Sequence, residues 1–254
     1  MRARPRGQTA LMIARTLADA VLSRRPERVR RALAAGADPD PPDGDTPLYL
    51  AAVHGDTATV RILLQAGADP DRESGQDRSL PLCAAACWGH TDTVGALLDG
   101  GAGPDRVEDV AWTALQWAAA GGHLGAATAL LEGGADPDAR AEGRMSALGH
   151  AAAHGFASVV RLLLRHGADP GSADAQGLRP VEHARAYAGK DLEAEVSARV
   201  FAGPGARVTV RRQRLEGGDE QLVAEARDAD GDLRSGLAMG TGHAEIVRLL
   251  EAHG

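Results

Sequence analysis

Met145–Pro170, MSALGHAAAHGFASVVRLLLRHGADP, is the stretch from which the fold of this chain is read. Its first half is rich in alanine, with Ala147, Ala151, Ala152 and Ala153 around Leu148. Alanine has the highest helix propensity, and its small side chain lets neighbouring helices approach closely. Ser146 to His154 is therefore expected to be helical, and Gly155 follows where a helix would end on a left-handed residue. Ser158 to His166 reads as a second helix. Its Val159, Val160, Leu162, Leu163 and Leu164 cover more than one face, which suits a helix sandwiched between others. Arg161, Arg165 and His166 take the polar side, and the last two favour the negative end of the helix dipole. Gly167 breaks the run, and Asp169-Pro170 starts a turn. A helix pair this short cannot bury its own apolar surface and needs neighbours of the same kind.

The neighbours are present. Asp45–Pro70 reads DTPLYLAAVHGDTATVRILLQAGADP, Ser79–Pro104 reads SLPLCAAACWGHTDTVGALLDGGAGP, and Trp112–Pro137 reads WTALQWAAAGGHLGAATALLEGGADP. The glycine before the turn recurs at Gly67, Gly101, Gly134 and Gly167, a period of 33 to 34 residues. A fixed period of this length, built of helix pairs, is the signature of a stacked solenoid. The segments TPLYLAA, GHTDTV, VVRLLL and GADPD strongly resemble ankyrin repeat proteins. The resemblance covers roughly residues 8–200 and again about 229–254. It implies an all-α ankyrin-repeat solenoid of about seven helix-turn-helix repeats.

Composition agrees with that class. The 254 residues are 44% apolar but only 3% aromatic, as expected where small and aliphatic side chains pack helix on helix. The net charge of −7 argues against nucleic acid as the main partner. No apolar run approaches 18 residues and the start lacks an apolar signal core, so no membrane span is expected and the location is read as cytoplasmic. Lys190 is the only lysine, and arginine carries the remaining basic charge. That bias reads as the imprint of a GC-rich, bacterial genome rather than as a functional signal.

Along the chain, residues 1–202 are read as repeats one to six with an N-terminal cap. Residues 9–22 and 26–35 would be the cap helices. Arg2, Arg4 and Arg6 precede them, and Arg24 to Arg31 is basic, as the polar outer face of a terminal repeat requires. The pattern weakens after Pro170. Gly177–Ala188 and Asp191–Val200 are expected as the two helices of an eroded sixth repeat. Gly203-Pro204-Gly205 then stops the helical pattern. Residues 203–228 are read as an inserted β-hairpin, with strands at Arg207–Leu215 and Gln221–Arg227 around a Glu216-Gly217-Gly218-Asp219 turn. Residues 229–254, which carry GHAEIVRLL, would resume as a seventh, capping repeat.

No phosphate loop, nucleophile elbow or HExxH motif occurs, so no catalysis and no cofactor are expected. Cys83, Cys87 and His90 could at most give a metal three ligands, and the thiols read as small core residues. The aspartates of the GADP turns read as turn formers. What the ankyrin resemblance implies is protein binding on the hairpin tips and the exposed side of the first helices. Those positions are Asp43, Asp45, Asp77, Ser79, Trp112 and Met145 at the tips, with Val53, His54, Trp88 and His154 on the helices. Exposed tryptophan is a frequent binding anchor, which singles out Trp88 and Trp112. Acidic tips point to a basic protein partner, engaged by a monomer. The alternative is a small-molecule or even enzymatic pocket near Trp88, Trp112 and Trp117.

Overall fold

The computed structural model describes residues 17–42, 44–109, 111–200, 206–228 and 230–253. The Arg2, Arg4 and Arg6 arm, Asp43 and the Gly203-Pro204-Gly205 break lie outside the described residues. The chain divides into two compact units, Met1–Ala118 with Gly125–Asp136, and Ala119–Leu124 with Pro137–Gly254.

In the first unit residues 17–22 are helical and are followed by α1 (Pro26–Ala34), α2 (Pro47–Val53), α3 (Thr57–Gln65), α4 (Pro81–Cys87) and α5 (Thr91–Asp99). Proline opens α1, α2 and α4. Its fixed φ suits the first turn, where a missing N–H costs nothing. The Thr46 hydroxyl accepts from the Tyr49 N–H, and the Asp56 carboxylate accepts from the Thr59 N–H, so both helices of the second repeat are capped. First helices stack on first helices (α2 on α4), and second on second (α3 on α5). The seams close over Leu48, Ala51, Val60, Leu63, Ala85, Val94 and Leu97, all essentially without solvent exposure. Each second helix runs into a left-handed glycine such as Gly67, at φ +91°.

The turns carry a second periodicity. The Asp40 carboxylate accepts the Asp69 N–H at 2.7 Å, Asp71 accepts that of Gly103 at 3.0 Å, and Asp105 accepts that of Asp136 at 3.0 Å. In the second unit Asp138 accepts that of Asp169 at 3.1 Å. In each of these turns it is the aspartate directly after the proline that ties the turn to the next one. The fifth copy has Gly171 there, so the ladder cannot be carried further.

α6 (Ala114–Gly121) and α7 (Leu124–Glu132) make the fourth helix pair. The second unit then holds α8 (Ala147–His154), α9 (Ala157–Arg165), α10 (Pro180–Arg185), α11 (Leu192–Arg199), strands β1 (Arg207–Arg214), β2 (Glu220–Arg227) and β3 (Leu233–Gly240), and α12 (His243–Glu251). α8 and α9 fall where Met145–Pro170 predicts them, and Gly155 ends α8 at φ +79°. A side chain there would run into the Gly240 carbonyl and the His243 ring.

Two expectations about the C-terminal third need correction. The insertion is a three-stranded antiparallel sheet in the order β1-β2-β3, not a hairpin. Leu233–Gly240, read from sequence as part of a resumed repeat, is its third strand, paired with β2 from Gln221↔Gly240 to Arg227↔Leu233. The second correction concerns α11, expected as the second helix of the sixth repeat. It packs instead on the sheet, where Val196 and Val200 join Leu222, Ala224, Ala226 and Met239 in a separate small core. The place beside α10 is taken by α12, which packs on α10 and α9. Its His243 Nε2 meets the Ala153 carbonyl at 3.1 Å, as His90 Nε2 meets that of Val53 at 3.1 Å in the first unit. The Tyr187 and His243 rings lie 5.2 Å apart. α10 and α12 thus form one helix pair, with α11 and the sheet set between its two halves.

Candidate functional site

One concave site in the first unit gathers most of the aromatic side chains that the sequence reading singled out. A pocket of about 190 Å³ is lined by Tyr49 from α2, Ser79, Cys83, Ala84, Cys87 and Trp88 from the α4 repeat, and Glu108 and Trp117 from the next. The hairpin tips set its walls through the Ser74↔Ser79 and Val107↔Thr113 bridges. Two tip residues that are not glycine take left-handed backbone, Arg78 at φ +48° and Ala111 at φ +62°. Such conformations persist where the surrounding structure holds them.

Glu108 is the electrostatic centre of this pocket. Its carboxylate accepts the Leu80 N–H at 2.8 Å and the Trp117 indole N–H at 3.0 Å. The Cys83 thiol also donates to it. Burial raises the Glu108 pKa, opposed by these donors. The Cys83 thiol is pushed well above its usual range, first by burial and then by Glu108, and Cys87 is raised for the same two reasons. Neither thiol is primed as a nucleophile. The Tyr49 phenol is raised by burial, relieved in part by a hydrogen bond with Ser79, and raised further by Asp45, Glu108 and Asp77. All the charges acting on these lining groups are acidic.

Trp88 is 63% exposed on the rim, more than any other large hydrophobic side chain described in this unit. Trp112 is half-buried and packs on Trp117 with ring centroids 4.4 Å apart. It therefore backs the wall and does not line the cavity. Asp45 and Asp77 are exposed at the tips. Val53 and His54 end α2 and are committed to the repeat frame. The Val53 carbonyl meets His90, the His54 ring meets the Leu50 carbonyl at 2.8 Å, and the His54 carbonyl accepts from Arg24 at 3.2 Å. Met145 and His154 belong to the second unit, where the His154 ring meets the His150 carbonyl at 2.9 Å. Cys83 and Cys87 do line one pocket, but His90 is turned away to Val53. Among the described residues no group of three or more His, Cys, Asp and Glu side chains could hold a metal ion.

Sequence reasoning missed Tyr49 and Glu108. Tyr49 stands on an ordinary helix, and Glu108 is one acid among many in acidic tips. Nothing local marks either one, because the pocket forms only when three repeats stack. Trp117, named from sequence in the alternative reading of a pocket near Trp88 and Trp112, both packs on Trp112 and lines the pocket.

The class is that of a stacked helix-turn-helix repeat protein. Residues 1–74, 17–108 and 82–174 each match the family described as ankyrin repeats (3 copies), and the chain belongs to that family. No curated protein matches the chain. Ankyrin repeats are generally protein–protein interaction modules. Among the described residues no helix is long and apolar enough to cross a membrane.

Proposed function

We propose that this chain is a non-catalytic binding module that engages a protein partner over the hairpin tips and first helices of its first unit. The observation that carries the reading is Trp88. A tryptophan 63% exposed beside a pocket, in a chain with only 3% aromatics, is an anchor awaiting a partner. The stacked repeats present it on a preformed surface, so little ordering entropy is lost on binding. The acids around it favour a partner with basic residues there, and protein in place of nucleic acid. The protein acts as a monomer in the cytoplasm of a cell with a GC-rich genome, as in bacteria.

The test is affinity capture from the native extract with the wild-type chain and with Trp88→Ala, followed by titration of the captured protein. Trp88→Ala is expected to cost ~2 kcal/mol or more of binding, roughly a 30-fold loss, with the thermal midpoint unchanged. Equal capture and affinity by both chains would remove Trp88 from the interface.

A small-molecule reading rests on the same pocket and its half-buried Glu108. At about 190 Å³ the pocket is smaller than the ~300–1,000 Å³ typical of sites for free ligands, and its size suits one protruding side chain better.

A further inference from the structure

We propose that the Tyr49–Cys83–Trp88–Glu108–Trp117 pocket is a receptor for a single alkylammonium group of lysine type, held against the tryptophan rings and charge-matched by Glu108. This rests on the binding reading above and names the chemistry its anchor point selects.

Four observations lead there. The first is charge. Glu108 is bonded by the neutral donors Leu80, Trp117 and Cys83, and the charges acting on its neighbours Tyr49 and Cys83 come from acids. The adjacent base, Arg78, is turned to Glu73 at 2.9 Å and to Asp109 at 3.5 Å. An anion would meet only repulsion, and a neutral ligand would leave the carboxylate without a counter-charge. The second is the lining. Trp88, Trp117 and Tyr49 all line the pocket, and a cation gains from an aromatic ring where a neutral amine does not.

The third observation separates ammonium from guanidinium. Arginine is favoured where a carboxylate offers two free oxygens to its planar fork. Of the roughly four lone-pair sites of Glu108, one on Oε1 is taken by Leu80, one on Oε2 by Trp117 and a third by Cys83, so the two side-by-side sites that a bidentate fork needs do not remain. An ammonium gains from proximity to the carboxylate and the rings alone, and a primary one can use the single remaining lone pair as well. The fourth is size, since the pocket admits a head group and its last methylenes.

The test uses the full chain labelled with ¹⁵N, whose three tryptophans give three indole N–H resonances. Butylammonium, butyltrimethylammonium, butylguanidinium, 1-pentanol and valerate are titrated in turn. Both ammonium probes are expected to shift the Trp88 and Trp117 signals to saturation. The guanidinium, the alcohol and the acid should bind at least 10-fold more weakly. Trp88→Ala, at an exposed position, should weaken butylammonium at least 5-fold, and Glu108→Gln should abolish the preference for ammonium over alcohol. Equal shifts from pentanol and butylammonium, or unchanged affinity in Trp88→Ala, would overturn the assignment.

Competition separates the two proposals. Butylammonium that displaces the captured partner identifies the group as a lysine of that partner. Butylammonium that binds without displacing it leaves the pocket specific for free amines and breaks its link to the partner. A partner lost in Trp88→Ala with no ammonium binding sinks only the present inference.

Discussion

His150 shows how strongly position in the stack changes a residue. It sits on α8, only 8% exposed, and its pKa is lowered to about 4, first by burial and then by His154, His183 and Arg144 nearby. The folded state therefore favours the neutral ring. Its contribution is complete above the unfolded value near 6.5 and is lost as pH falls from there towards 4. The difference corresponds to roughly 3 kcal/mol. Asp40, Asp105 and Glu108, whose pKa values are raised mainly by burial, act in the opposite sense and favour the fold as pH drops towards them. The wild-type curve mixes these terms. Comparing urea unfolding of the wild type and His150→Gln at pH 7 and pH 4.5 isolates the histidine. The variant should lose less stability over that interval, and parallel losses would contradict the assignment.

At the scale of the element, the turn between β1 and β2 does work that its own sequence does not announce. α9 has no side-chain cap from its own N-cap residue, Phe156. Asp219, in that turn, supplies the missing group. Its carboxylate accepts the Ser158 N–H at 3.0 Å and the Ser158 hydroxyl at 2.5 Å. The insertion thus caps a repeat helix 61 residues away, and the negative charge meets the positive end of the helix dipole. Asp219→Ala is expected to cost ~1 kcal/mol, read by denaturant unfolding, and amide exchange at Ser158 should accelerate. Unchanged exchange there would mean that water caps the helix equally well. The sheet protects its outer strand in a similar way. β1 is exposed and arginine-rich, with Arg211 paired to Glu225 and Arg212 to Glu193, which discourages further strand pairing.

Across the whole molecule, the question is which parts need one another. α10 and α12 pack as one repeat although α11 and the sheet separate them in sequence. Joining Tyr187 directly to Gly242 would restore the short inter-helix turn seen between α2 and α3. That deletion is expected to fold cooperatively, with the repeat helices retained by circular dichroism and the small core around Leu222 lost as a unit. A molten product would show that the sheet is needed to hold the pair together. Leu163 is fully buried on α9, so Leu163→Ala should cost ~2–5 kcal/mol in chemical unfolding. Trp88→Ala, by contrast, should leave stability unchanged, which separates the frame from the surface proposed to bind.

The repeats were legible because their information is local. Alanine-rich runs, proline starts and glycine ends recur at a fixed spacing, and each repeat packs mainly on the next. The sequence by itself therefore determined the helix pairs up to Pro170, their order and the ankyrin class. It misled where the period failed. Leu233–Gly240 carries weak propensity either way, and its pairing with β2 makes it a strand. GHAEIVRLL was read correctly as a second helix, but its partner is α10, a contact distant in sequence. Only the tertiary structure could decide that pairing, the capping of α9 by Asp219, and the gathering of Tyr49, Glu108 and Trp117 around one cavity. In each case the residues come from different elements. Their chemistry depends on burial and proximity, which no single stretch of chain encodes.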